Sequence, residues 1–338
     1  MTHVRRIWYG PNVIVRNAID AVVELSVFAS FTRIGPAIRR RLFGWVDPEP
    51  GSLKGRTALV TGPTSGLGRA VVEDLARLGA RVVLVGRSAD RLARVRDDLI
   101  AAHGGDRFPT IVADMGSLAS VHAAVAEILA AESRLDIVVD NAGAIFPDRT
   151  VGPDGIEATL AVLVVGPFAL IGGVLPLLRA TPGARVIATT SGGQYTQALD
   201  LDNLQSDGDS YSGALAYARA KRAQVSLIRE WARRLRREDI TFCAMHPGWA
   251  DTPGLADTLP GFYNVMRPLL RTPSDAAATV SWLATSPEIS RLNGKLVLDR
   301  RARPFDRVPW TVVGAADRRR LWDEVVGLSE RRDPVPPG

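Results

Sequence analysis

Cysteine is all but missing from this chain. Cys243 stands alone among 338 residues, so neither an internal disulfide framework nor a cysteine-built metal site can form, which fits a reducing, cytoplasmic setting. Histidine is nearly as rare. His3, His103, His122 and His246 are scattered without the spacing of metal ligands, and no metal is expected. Low-complexity tracts are absent, and the composition is that of an ordinary globular protein long enough to bury a large core. Lysine is scarce while arginine is abundant. The formal charge of +6 and the isoelectric point near 9.9 come without a recognisable nucleic-acid-binding motif, so no nucleic-acid partner is expected.

The N-terminal region also lacks a charge-free apolar run that could span a membrane. "NVIVRNAIDAVVELSVFASF" carries Arg16, Asp20 and Glu24, which four-residue spacing gathers into one polar stripe of a helix, and no small-residue cleavage site with the usual n-region is evident. "TRIGPAIRRRLFGW" follows, with Arg39, Arg40 and Arg41 beside Ile38, Leu42, Phe43 and Trp45. Two readings stand. Residues 1–45 form either a helical arm packed on the protein or on a second subunit of a homo-oligomer, or a basic amphipathic segment lying in a membrane interface. "DPEPGSLKG" then reads as a linker ending in a turn, so residues 1–53 are expected to be arm and linker.

From Arg56 the pattern changes to short apolar runs alternating with helical segments. "TALVTG", "RVVLVG", "TIVADM", "LDIVVDNAG", "ARVIATTS" and "ITFCAMHPG" are strands too uniformly apolar to keep a wet face. Such strands belong to a parallel sheet covered by helices on both sides. Residues 54–300 are therefore expected to be a single α/β domain, a Rossmann-like doubly wound parallel sheet in three layers. Residues 301–338, with "RARPFDRVPW" and "RRRLWDEVVGLSERRDPVPPG", read as a C-terminal extension of loop and short basic helix.

"TALVTGPTSGLGRAVV" sets Gly62, Gly66 and Gly68 between the first strand and the first helix. Glycines there permit a tight turn and close backbone approach, so that the helix N-terminus can face a pyrophosphate. The spacing TGxxxGxG resembles that of the short-chain dehydrogenase/reductase superfamily, and the resemblance extends over roughly residues 54–300 through an ordered set of motifs. It implies a dinucleotide held by Gly62, Ser65, Gly66, Leu67 and Gly68. "ADMGS", with Asp114 and Met115, is similar to the family's adenine-contacting element. "DNAGA" is similar to its NNAG motif, with Asn141, Ala142 and Gly143 beside the cofactor. In "HPGWADTPG" Pro247 and Gly248 would shape the nicotinamide pocket and Thr252 would contact the carboxamide or the pyrophosphate. After the second strand, where an NAD site carries an acid for the ribose hydroxyls, stands Arg87 in "LVGRS". An arginine pairs with a 2′-phosphate that an acid would repel, so NADP(H) is favoured over NAD(H); the alternative for Arg87 is a solvated loop cation.

"YARAK" places Tyr217 and Lys221 one helical turn apart on one face. A phenol is a poor acid at neutral pH, and a neighbouring ammonium favours its phenolate. The family resemblance implies Tyr217 as proton donor or acceptor, Lys221 as its tuner and ribose holder, and Ser191, at the end of "RVIATTS", as the group that orients a substrate carbonyl. Thr189 and Thr190 are possible substitutes for that serine. "SGGQYTQALDLDNLQ", "YARAKRAQV" and "MHPGWADTPG" further resemble the branch of dehydrogenase/reductase member twelve and the retinol-dehydrogenase-like reductases. One position departs from the family pattern: the asparagine that helps to hold a relay water falls on Leu163, which cannot hydrogen-bond. The expected function is NADP-dependent interconversion of a carbonyl and an alcohol on an apolar, lipid-, steroid- or retinoid-like small molecule. Trp249, Leu255, Phe262 and Tyr263 around the entrance motivate that substrate class. The alternative is a catalytically weak NADP-binding protein acting through its N-terminal arm at a membrane or in a complex.

Overall fold

The computed structural model describes residues 13–208, 210–329 and 333–336. Three N-terminal helices, α1 (Val13–Leu25), α2 (Val27–Phe31) and α3 (Ile34–Phe43), precede the first strand, β1 (Thr57–Thr61). Strand and helix then alternate: α4 (Gly66–Arg77), β2 (Arg81–Gly86), α5 (Ala89–His103), β3 (Thr110–Val112), α6 (Leu118–Ala131) and β4 (Ile137–Asp140). Next, α7 (Ala158–Leu160) passes through a π-helical turn, Ala161–Val165, into α8 (Gly166–Ala180). The remainder is β5 (Ala184–Thr189), α9 (Gly213–Arg234), β6 (Ile240–Met245), α10 (Pro253–Thr258), α11 (Pro260–Met266), α12 (Pro273–Thr285), β7 (Lys295–Leu298), β8 (Arg301–Arg303) and α13 (Ala315–Leu328).

The strands form one sheet in the order β3-β2-β1-β4-β5-β6-β7-β8. All pairings are parallel except the last, in which β8 runs antiparallel to β7. The apolar runs of the sequence are explained by this arrangement. Side chains alternate across a sheet: Leu59, Val83 and Val85 join the core under α6, α8, α9 and α13, while Ala58, Val60, Val82 and Leu84 join the core under α4, α5 and α12. The inner strands β1, β2, β4, β5 and β6 thus feed two cores and have no wet face, whereas β3, at the sheet edge, leaves Val112 53% exposed. The stretch Ala158–Ala180 is long and apolar enough to cross a bilayer, but 78% of its most apolar window is buried inside the protein; it is a core helix.

The sheet runs past residue 300. β8 begins at Arg301 and is joined to β7 by a two-residue turn, Asp299–Arg300, with both φ angles positive, at 54° and 60°. Such a turn matches the twist of a hairpin, but usually recruits Asn and Gly. It is fixed here by the ion pairs described next. Beyond β8, α13 lays Trp322 edge-on against Trp231 of α9 and Phe168 of α8, with ring centres 4.7 Å and 4.9 Å apart.

The N-terminal arm packs on its own domain, and the polar stripe of α1 is its inner face. Asp20 is buried and Glu24 is largely so. Asp20 accepts from Arg39 at 2.7 Å and from Arg303 at 2.8 Å, Glu24 accepts from Arg39 at 2.7 Å, and Arg39 reaches Asp299 at 2.6 Å. Arg271 closes the network from the other side, donating to Asp299 and to the carbonyls of Ser30 and Phe31. The basic triplet is likewise no continuous outward stripe: Arg39 has no exposed surface and Arg40 pairs with Asp47. The outer face of α1 is apolar, with Ile14 73%, Val22 68% and Leu25 83% exposed.

Candidate active site

The glycine turn lies between β1 and α4, at the point where the sheet order reverses between β1 and β4 and open α/β sheets bind their ligands. Gly62 has φ 67°, and a Cβ on Gly68 would stand 2.0 Å from the Gly62 carbonyl oxygen; only glycine fits there. Gly66, at φ 51°, faces Thr252 across the cleft, a Cβ there meeting the threonine side chain at 3.2 Å. Ser65 precedes α4 without capping it through its side chain, so the backbone donors of this helix end, which continues into Leu67, are left for an anion. Asn141 donates from its side chain to the carbonyls of Thr61 and Gly62, and the backbone N–H groups of Asn141 and Ala142 both donate to the Thr61 hydroxyl. These bonds tie the β4 end to the turn. A dinucleotide fits this cradle: bare glycine backbone, an uncapped helix start and a fixed neighbouring loop.

The other predicted cofactor residues lie around the same sheet edge. Arg87 follows β2, is exposed and has no ion pair with a described residue. Asp114 follows β3, its carboxylate accepting from the Gly116 N–H at 2.9 Å, and Met115 is buried beneath it. Gly143 is exposed, packed beside Leu163, which itself is fully buried in the π-helical turn. Pro247 and Gly248 follow β6 and are half-buried. Gly248 has φ 75°, and its missing Cβ leaves the space taken by the Arg271 guanidinium, 2.2 Å away from where that atom would be.

Tyr217, Lys221 and Ser191 come together at the ends of α9 and β5. The Lys221 Nζ lies 5.8 Å from the Tyr217 ring centre. Tyr217 keeps some exposure while Lys221 is buried. Burial pushes the Tyr217 phenol above its usual value, with the Ser191 hydroxyl pulling the other way; the lowering by Lys221 expected from the sequence is not seen. Ser191 also caps a short 3-10 turn by accepting from the Gly193 N–H at 3.3 Å. Thr189 and Thr190 are buried. The Thr189 carbonyl accepts from Lys221 at 2.7 Å.

Three residues beside this site escape a motif-based reading. Gln224 stands three residues after Lys221, accepts from it at 3.1 Å, and donates to Asp140 at 2.8 Å. Asp140 is visible in the sequence only as an acid at the head of "DNAGA". Phe31, from the arm, reaches the loop after β6: its carbonyl accepts from the Trp249 N–H at 2.7 Å, and its ring lies 4.3 Å from the His246 ring. Burial, helped by Arg271 and Arg307, holds His246 down at about 3, so it is neutral, and its Nδ1 accepts from the Gly248 N–H at 2.7 Å. Trp249 packs edge-on against Phe31 and Phe262. Leu255 is half-buried nearby in sequence, and the Tyr263 hydroxyl donates to Asp251. Among the described residues no three histidine, cysteine, aspartate or glutamate side chains gather as metal ligands.

Comparison with known proteins identifies a family. A family model described as short chain dehydrogenase matches residues 56–260. The chain is similar to dehydrogenase/reductase SDR family member 12 of Bos taurus, 34% identical over 251 residues that cover 74% of this chain and 78% of that one. It is also similar to retinol dehydrogenase 14 of Mus musculus, 32% identical, with 86% and 89% covered. Among solved structures, the RhlG/NADP active-site complex of Pseudomonas aeruginosa superposes with a TM-score of 0.61 at 27% identity, covering 74% of this chain and 96% of that one.

Proposed function

The chain belongs to the short-chain dehydrogenase/reductase family and is an NAD(P)-dependent oxidoreductase that interconverts carbonyls and alcohols; on that premise we propose that it uses NADP(H), acts on an apolar small molecule, and transfers protons through Tyr217. The observation that carries the reading is the convergence of a partly exposed Tyr217, a buried Lys221 and Ser191 beside the glycine cradle. When bound, the nicotinamide supplies hydride to the carbonyl carbon or takes it from the alcohol. Ser191 donates a hydrogen bond to the substrate oxygen and fixes its position. Tyr217 gives its phenolic proton to that oxygen in reduction and receives it back in oxidation. Lys221 has two of its three donors engaged, by the Thr189 carbonyl and Gln224, which leaves one for the cofactor ribose. Gly62, Ser65, Gly66, Leu67 and Gly68 would hold the pyrophosphate, and Arg87 the 2′-phosphate; its exposure and lack of an ion pair among the described residues support that role. Trp249, Leu255 and Phe262 support an apolar substrate.

A screen of aldehydes, ketones, retinoids and steroids for NADPH consumption tests the reading, with Tyr217→Phe as control. Turnover that survives this substitution would refute the assignment of the proton donor. The outer face of α1 favours a second element of the proposal. With its charges turned inward and Ile14, Val22 and Leu25 turned outward, residues 1–45 would rest on a membrane surface from the cytoplasmic side. Flotation with anionic vesicles should carry the full chain and lose Val22→Ser/Leu25→Ser; equal flotation of both would remove the idea.

A further inference from the structure

We propose that Asp140 and Gln224 are positioning residues of the acid–base site: the buried Asp140 carboxylate, acting through the Gln224 side-chain amide, fixes Lys221 in place and keeps its ammonium charged. The proposal rests on the role given to Lys221 above. The three side chains are all nearly sealed from solvent, at 2% exposure for Asp140, 5% for Gln224 and 3% for Lys221. Lys221 donates to the Gln224 Oε1 at 3.1 Å, and the Gln224 Nε2 donates to the Asp140 Oδ2 at 2.8 Å. The direction of that amide is set by charge. Turned over, it would point N–H groups at an ammonium and a carbonyl oxygen at a carboxylate. The amide therefore lies between the two ions with its dipole aligned to both, and couples them without moving a proton.

The hydrogen bond alone does not account for a carboxylate at this position. An asparagine would accept from Gln224 equally well and would not carry a charge into the interior, where the Thr61 side chain is the carboxylate's other hydrogen-bonding neighbour. What the acid adds is its charge, and the charge opposite is that of Lys221. Few other groups compete. The titratable groups facing Lys221 are Asp140 from β4 and Tyr217 from its own helix, while β5 presents the Thr189 carbonyl. The π turn after the NAG loop, Ala161–Val165, holds apolar side chains only, Leu163 fully buried among them. Burial draws Lys221 down to about 8, with Asp140 opposing, and raises Asp140 to about 6, with Lys221 opposing. Both groups are ionised in the interval between.

The chain contains three lysines, Lys54, Lys221 and Lys295, of which Lys54 and Lys295 are exposed. Full-length protein labelled with 13C at lysine Cε therefore gives three signals to titrate, and Lys221→Arg assigns the buried one. In the wild type, the Lys221 signal should titrate near 8. Asp140→Asn should lower the Lys221 midpoint by about one unit or more, and Gln224→Met should lower it by less. Gln224→Glu, which brings a carboxylate to the ammonium itself, should raise it. An Asp140→Asn midpoint equal to the wild-type one overturns the proposal. Should Asp140→Asn not fold, Gln224→Glu decides, and an unmoved or lowered midpoint overturns it. No cofactor or substrate enters this titration, so its outcome is separate from that of the Tyr217→Phe assay.

Discussion

Two buried polar networks in this molecule have opposite electrostatic characters. Where the arm meets the domain, Asp20, Glu24 and Asp299 are each held by arginines, with Arg39 at the centre and Arg271 and Arg303 at its flanks. Burial would raise the Asp20 and Asp299 carboxyls, yet the arginine partners more than offset it and hold both below the usual range, while Arg39 is held above its own. Beside Tyr217 the balance is reversed. Burial prevails at Asp140 and at Lys221, bringing their values to about 6 and about 8. One network locks its charges in and fixes geometry. The other leaves its charges adjustable near neutral pH, where acid–base chemistry needs them.

The same substitution should have different consequences in the two places. Arg39→Met leaves Asp20 and Asp299 buried without their central partner and is expected to destabilise the fold by about 3–5 kcal/mol in urea unfolding, with turnover per folded molecule nearly unchanged. Lys221→Met removes a costly buried ammonium and leaves an acid that can simply take up a proton. We expect stability within about 1 kcal/mol of wild type and at least a roughly hundredfold loss in kcat/KM. A large stability loss from the second substitution, or none from the first, would break the contrast.

pH sharpens it further. The folded-state value of Asp140 lies above its unfolded one, so the native state holds that proton more tightly and stability falls as pH rises from about 4 to about 6. Asp20 and Asp299 are displaced the other way; their contribution is present above the usual carboxylate value and is lost as pH falls below it. Asp140→Asn should flatten the first trend and Asp299→Asn the second, each by about 1–3 kcal/mol in the pH dependence of the urea midpoint. The smallest effect is expected at Arg87, outside both networks. Arg87→Ala should weaken NADPH binding about tenfold by calorimetry and leave NADH unchanged; tighter NADH than NADPH binding in the wild type would remove the NADP assignment.

What could be read from the sequence was local. The glycine turn, the i, i+4 spacing of Tyr217 and Lys221, and the doubly apolar strands each lie within one element or one connection, and the observed sheet repeats them. Features joined across long separations were hidden. Asp140 and Gln224 are 84 residues apart, and Arg303 reaches Asp20 across 283, so neither pair leaves a spacing signal. The stripe Arg16, Asp20, Glu24 shows how this misleads. Periodicity identifies two faces of a helix but not which is inside, and here the partners Arg39, Arg271, Asp299 and Arg303 turn the charged face inward. Phe31 is a related case: its place against His246 and Trp249 depends on where α2 docks. Asp140 and Gln224 did leave a weak trace, an acid heading the NAG loop and a polar residue one turn beyond the lysine.

The claim that the catalytic helix carries an adjustable charge, set from β4, is tested most directly by the pH dependence of kcat/KM for carbonyl reduction in wild type and Asp140→Asn, once a substrate is in hand. We expect a wild-type plateau between about 6 and about 8, and in the variant an alkaline limb moved down by about one pH unit with no matching loss of stability. Superimposable profiles for the two proteins would contradict it.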